Sequence, residues 1–184
     1  FGAEYDSLAD LVSFGMAPAL LVYEWSLSDL GRIGWLAAFL FLACAALRLA
    51  RFNTQVGISE KRYFQGLPSP AAAGVIASMI WLKFWNFEYF YGMAAFSYYI
   101  GVGITIICAL LMVSNVRYYS FKEFDSKKAS FRFLLAIILG IIVLLSRPNI
   151  FLFTGFFLYM LSGPFITIMG LNKKRIEKKQ TRSS

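Results

Sequence analysis

GRIGWLAAFLFLACAALRLARFN, residues 31–53, carries a single charge at its start, Arg32, and no other until Arg48 and Arg51 near its end. An α-helix rises about 1.5 Å per residue, so roughly 20 apolar residues cross the hydrocarbon core of a bilayer. The run is that long, and too long for the strand of a membrane barrel. The same criterion selects 3–25, polar in its opening turns and apolar from Leu11 onward, and then 70–87, 93–115, 131–146 and 149–171. Pro70 suits a first helical turn, where its missing N–H is not needed. Arg147-Pro148-Asn149 reads as a tight break between the last two spans, and Pro18 and Pro164 are expected to kink the spans that contain them. The expected fold is an all-α, polytopic membrane helix bundle with six spans in residues 1–171 and a basic tail at 172–184.

Composition agrees. Of 184 residues, 59% are hydrophobic and only 15% charged, against about 45–50% and about 25% in soluble domains. The mean hydropathy is +0.63. A chain this short cannot hide that excess in one globular core, and it is far too apolar for disorder. Cys44 and Cys108 both fall in apolar runs and read as small packing residues rather than a disulfide framework. The chain has no histidine, which removes Ser-His-Asp triads, phosphohistidine chemistry and most zinc sites.

Charge sets the orientation. With alternating connections, all of the 18 lysines and arginines except Arg32, Lys83 and Arg147 fall on one side of the membrane. By the positive-inside rule that side is the cytoplasm, so both ends of the chain are expected there. A net charge of +8 reads as attraction to anionic headgroups; it gives no reason to invoke nucleic acid.

Charged groups within spans are costly and are candidate site residues by default. Asp6 and Asp10 lie four apart on the first helix, on one face and one turn apart, with Glu4 and Ser7 close by. Like charges at that spacing repel. Either these turns frame a solvated helix end, or the carboxylates share a proton or a cation; with no His or Cys nearby, hard oxygen donors point to Mg²⁺, Mn²⁺ or Ca²⁺. Arg48 and Arg51 are three apart near the end of the second span, with Asn53 just beyond. Their planar guanidiniums suit a phosphate or a carboxylate, and snorkelling to the headgroups is the plainer alternative. Lys61 and Arg62 read as topology charges. Gly101, Gly103, Gly155 and Gly163 read as sites of close helix packing, and the Phe-rich run at 151–157 as lipid-facing or core material.

Gly2, Asp6 and Asp10 spell G-x-x-x-D-x-x-x-D, which resembles the second half of the motif of the CDP-alcohol phosphotransferase family. That motif opens with D-x-x-D-G-x-x-A-R, which this chain lacks. LADLVSFG at 8–15, RLARFN at 48–53, GLPSPAAAG at 66–74 and MVSNVRY at 112–118 resemble the serine branch, the membrane-type phosphatidylserine synthases of bacteria and archaea. The resemblance implies transfer of the phosphatidyl group from CDP-diacylglycerol to the hydroxyl of L-serine, with release of CMP. It implies that Gly2, Arg48 and Arg51 bind the nucleotide and lipid substrate, and that Asn53 and Lys61 contact serine. It further implies that Asp6 is a ligand of Mg²⁺ or Mn²⁺, that Asp10 is the catalytic base and a second ligand, and that the enzyme is a homodimer of the prokaryotic cytoplasmic membrane. Another alcohol acceptor, such as glycerol phosphate or an inositol phosphate, is the alternative within the family. A membrane transporter whose Asp pair holds its cation is the alternative outside it.

Two carboxylates supply too few oxygens for a six-coordinate Mg²⁺ or Mn²⁺, so the other half of the motif is expected upstream, on a helix packed beside the first one, with about two more spans there in all. Residues 1–184 alone are then expected to insert in membranes yet transfer no phosphatidyl group, whereas an upstream-extended chain is active. Assaying both with CDP-diacylglycerol, serine and Mg²⁺ or Mn²⁺ decides this; equal activity means the half-motif suffices.

Overall fold

In the computed structural model, residues 1–55, 63–85, 94–119 and 131–180 are described. The first helical segment is α1 (Gly2–Leu11), followed by a π turn at Val12–Met16, α2 (Ala17–Val22), a second π turn at Tyr23–Leu27 and a 3₁₀ turn at Ser28–Leu30. The π turn ahead of Pro18 has a local cause. Proline offers no N–H to the carbonyl four residues back, and a π turn re-registers the ladder at that point; the Ala17 N–H reaches Val12 O instead. Pro18 therefore sits in a helix that continues through it.

Gly31, at φ 54°, ends the 3₁₀ turn and reverses the chain into α3 (Arg32–Gln55). After β1 (Tyr63–Gln65) come α4 (Ser69–Trp85), α5 (Ala94–Val113) and β2 (Arg117–Tyr119). Then α6 (Phe131–Ser146) and α7 (Pro148–Gln180) follow. Pro148 opens α7 as the sequence leads one to expect, and α7 runs on through Pro164 into the basic segment.

Among the described residues, three stretches are long and apolar enough to cross a membrane: Glu4–Leu30, Arg32–Thr54 and Pro148–Thr167; Ser69–Leu82 and Tyr98–Val113 are shorter apolar helices. Helix α6 occupies the stretch expected as the fifth span, with Leu135, Ile138, Leu139, Ile142 and Leu145 all exposed. Together these make an integral membrane helix bundle. One short antiparallel ribbon is added to it, with Tyr63 opposite Tyr119, Phe64 opposite Tyr118 and Gln65 opposite Arg117. The sequence reading placed both strands in connecting loops.

Lipid tails are as apolar as leucine, so the helices associate through close van der Waals fit rather than hydrophobic exclusion. Small residues do this work: α3 packs on α5, α4 packs on α7, and Ala37, Ala45, Ala72 and Ala109 are buried between helices. Gly15 lies against Ala45 and Leu42 of α3, and Gly74 faces the Phe156 ring of α7. Gly101 meets Ser26 and Gly163 meets the Tyr118 ring, as expected, but Gly103 and Gly155 have open space around them. Among the described residues, no neighbour packs against those two glycines. The Phe-rich run divides between Phe151, which is exposed, and Phe156, half-buried against Gly74. Buried hydroxyls return their protons to their own helices: Ser78 Oγ donates to Gly74 O at 2.6 Å and Thr105 Oγ1 to Gly101 O at 2.7 Å. Cys44 and Cys108 are buried and free.

Gly66, at φ 78°, is the turn on which the ribbon depends. Its N–H donates to Val116 O at 2.8 Å, the next N–H, of Leu67, donates to Leu111 O at 3.0 Å, and a Cβ at Gly66 would overlap Met112 O. Gly66→Ala should therefore lower stability by about 1–3 kcal/mol or more, while Gly103→Ala, in open space within a helix, should not. Thermal unfolding in detergent compares the two, and an unaffected Gly66→Ala would refute the packing described.

Candidate active site

The site forms where the first helix, α3, α4 and α7 meet at one end of the bundle, the end carrying Arg48 and Arg51. Asp6 is exposed and Asp10 half-buried on α1. Between them, Ser7 Oγ accepts a hydrogen bond from Asn53 Nδ2 at 2.9 Å. That bond sets the end of α3 level with the carboxylates, so Asn53 and the Asp pair, 43 or more positions apart in sequence, share one neighbourhood. Gly2 is exposed, with nothing within 4 Å of where a Cβ would stand. Lys61 lies outside the described residues.

Arg48 is the buried member, 9% exposed. Its Nη1 donates to Ser69 Oγ at 2.9 Å at the start of α4. Asp10 and the phenol of Tyr159, on α7, both lie within electrostatic reach of the guanidinium. Its Nε is buried and has no hydrogen-bond acceptor among the described residues. A buried cation whose Nε–H has no acceptor among the described residues, within electrostatic reach of a carboxylate on a neighbouring helix, is the polar centre of the site.

Arg51 behaves differently. Its Nη2 donates to Gln65 Oε1 at 2.7 Å and to Asn115 Oδ1 at 2.6 Å, and its Nη1 to Val113 O at 3.3 Å. The C-terminal carbonyls of a helix lack intrahelical donors, and Arg51 serves one of them on α5 while tying in the ribbon through Gln65. The guanidinium that the sequence analysis assigns to substrate is thus engaged with three protein oxygens.

No group of three or more His, Cys, Asp or Glu side chains that could hold a metal ion occurs among the described residues. The donor chemistry of Asp6 and Asp10, two hard carboxylates on one helix face with Asp6 open to solvent, fits a Mg²⁺ or Mn²⁺ ion only as part of its ligand set.

Residues 1–114 match the family model described as CDP-alcohol phosphatidyltransferase. The chain belongs to this family. It is 38% identical over 123 residues to a protein of Helicobacter pylori strain J99 named CDP-diacylglycerol–serine O-phosphatidyltransferase, covering 67% of this chain and 50% of that protein. It is 41% identical over 118 residues to the Methanocaldococcus jannaschii protein of the same name, covering 64% and 49%. To the archaetidylserine synthase of Methanothermobacter thermautotrophicus it is 37% identical over 118 residues, covering 64% and 45%. The chain thus spans about half the length of the curated relatives it matches.

Sequence reasoning missed Ser69, Gln65 and Asn115 as partners of the arginines, and Tyr159 altogether. Ser69 and Asn115 lie in the stretches that carry the resemblance, but nothing in their spacing announces which arginine they serve. Tyr159 lies beyond the matched residues, in a run that reads as plain apolar helix.

If Arg51 ties α3, α5 and the ribbon together, Arg51→Lys should be destabilising, because a single ammonium cannot serve three oxygens held by a planar fork. A loss of about 1–3 kcal/mol is expected, read as a lowered melting temperature in detergent. An unchanged melting temperature would free Arg51 for a role in binding alone.

Proposed function

We propose that this chain carries the acceptor-activating part of an enzyme that transfers the phosphatidyl group of CDP-diacylglycerol to the hydroxyl of L-serine, yielding phosphatidylserine and CMP. The observation that carries the reading is the convergence of Asp6, Asp10 and the buried Arg48 at one end of a bundle of this family. The names of the relatives support serine as the acceptor.

In this reading Asp10 takes the serine hydroxyl proton as the serine oxygen bonds to the phosphorus bearing the diacylglycerol. The bond from that phosphorus to the CMP oxygen breaks, and CMP leaves with the electron pair. This chain holds no histidine to carry a phosphoryl group, which favours one direct displacement over two steps through a phosphoenzyme. Arg48 neutralises phosphate charge from below with its uncommitted Nε–H. A Mg²⁺ or Mn²⁺ ion, held in part by Asp6 and Asp10, would supply charge neutralisation at the leaving phosphate. Gly2 leaves room for the nucleotide, Arg51 holds the Arg48 neighbourhood in place from the ribbon side, and Asn53 and Lys61 are the candidate serine contacts. Helix-borne groups keep this geometry better than a loop would.

The reading places the site and both ends of the chain at the cytoplasmic face of a prokaryotic plasma membrane, supported by the distribution of lysine and arginine. It includes a homodimer on the strength of the family resemblance.

The full-length protein, given CDP-diacylglycerol with labelled serine, glycerol phosphate or inositol phosphate, should make a labelled lipid from serine alone. A product from another acceptor would move the enzyme within the family, and cation flux in proteoliposomes without CMP release would remove it from enzymes. Asp10→Asn should abolish turnover while CDP-diacylglycerol still binds, since the amide keeps the size but cannot accept the proton. Near-normal turnover would exclude Asp10 as the base.

A further inference from the structure

Pro164 lies inside α7. Having no N–H, it cannot donate to the carbonyl four residues back, that of Met160. A carbonyl left without a donor in an apolar bundle costs several kcal/mol. Here the donor comes from another element: Tyr118 Oη, on the ribbon strand β2, donates to Met160 O at 2.9 Å. Gly163 makes room for it, since a Cβ there would overlap the Tyr118 ring. The ring is fully buried, and its centroid lies 5.5 Å from that of Tyr159, whose phenol is within electrostatic reach of Arg48. Burial pushes the Tyr118 phenol well above its ordinary pKa, so it remains a donor at physiological pH.

The ribbon is thereby held from two sides. Tyr118 ties it to α7, and Arg51 ties it, through Gln65, to α3. Gln65 stands opposite Arg117, next to Tyr118. Adjacent glycine and proline in α7, with a tyrosine on a distant strand that fits both, make a keyed contact. Both Tyr118 and Pro164 lie outside the matched residues 1–114.

We propose that Tyr118 is a positioning residue: its hydrogen bond to the Met160 carbonyl, and its seat on Gly163, dock the ribbon on α7 and thereby hold the Tyr159 side of the Arg48 site in register with Asp10. The proposal rests on the assignment of Arg48 to the phosphate of the lipid nucleotide.

Two variants separate positioning from mere filling of a hydrogen bond. Tyr118→Phe keeps the ring and removes the donor. Pro164→Ala restores an in-helix N–H to Met160 O without re-tying the ribbon. In the full-length protein, Tyr118→Phe should lower the melting temperature and raise the KM for CDP-diacylglycerol about three- to ten-fold, with kcat little changed. Adding Pro164→Ala should recover the melting temperature while the raised KM persists. If KM recovers together with the melting temperature, the hydroxyl only fills a bond and the proposal is overturned; it is equally overturned if Tyr118→Phe alters neither.

Hydrogen exchange at the Phe64 and Tyr118 amides gives a readout independent of turnover. The exchange should be about ten-fold faster in Tyr118→Phe and stay fast in the double variant; unchanged exchange refutes the docking. Should the unsubstituted protein transfer no phosphatidyl group, the assignment of the reaction fails while the exchange result still judges the docking.

Discussion

A guanidinium buried within the bundle, that of Arg48, is the constraint on which the site end of this molecule depends. Taking a charge out of water costs several kcal/mol unless partners replace its hydration. Here they come from elements far apart in sequence: Ser69 at the start of α4, Asp10 on the first helix and Tyr159 on α7. The arrangement can persist only if those elements stay in register, so the charge specifies the packing as much as the packing accommodates the charge. With no acceptor for Nε among the described residues, these partners leave one guanidinium N–H for a ligand. A donor of that kind in so costly a place suits an anion, and under the proposed function that anion is a phosphate of the lipid nucleotide.

The second constraint is satisfaction of the backbone. Two C-terminal carbonyls of α5, those of Leu111 and Val113, are served from elsewhere in the fold, by the N–H of Leu67 and by Arg51. The carbonyl that Pro164 strands in α7 is served by Tyr118. In each case a break in one helix is closed from outside it, by Leu67 beside the ribbon, by Tyr118 within it, or by Arg51 of α3. The ribbon therefore acts as the staple of the Arg48 end, and Gly66 must be a glycine because the turn that delivers Leu67 runs against Met112 O.

Sequence alone made the helices legible because their cause is local: long apolar runs, with proline at a first turn and few charges. The Asp pair and the two arginines were legible because charge inside a span is costly enough to stand out. Spacing could not say which arginine is free for a ligand. Arg48 and Arg51 look alike three residues apart, yet one meets a single hydroxyl and the other three oxygens, a difference decided by where Ser69, Gln65 and Asn115 fold. The ribbon was illegible for the same reason, since three pairs of residues joined across α4 and α5 leave no periodic trace. Gly103 and Gly155 meet no neighbour among the described residues: a glycine in a span signals room without saying whether a neighbour fills it.

The proposed reaction is one direct displacement at phosphorus, in which the serine hydroxyl attacks without a covalent enzyme intermediate. Its most direct test is the stereochemical course of the transfer, using CDP-diacylglycerol made chiral at the reacting phosphorus and analysing the configuration of the phosphatidylserine formed. A single in-line attack predicts inversion. Net retention would require two displacements through an enzyme-bound phosphatidyl group, and would contradict the account.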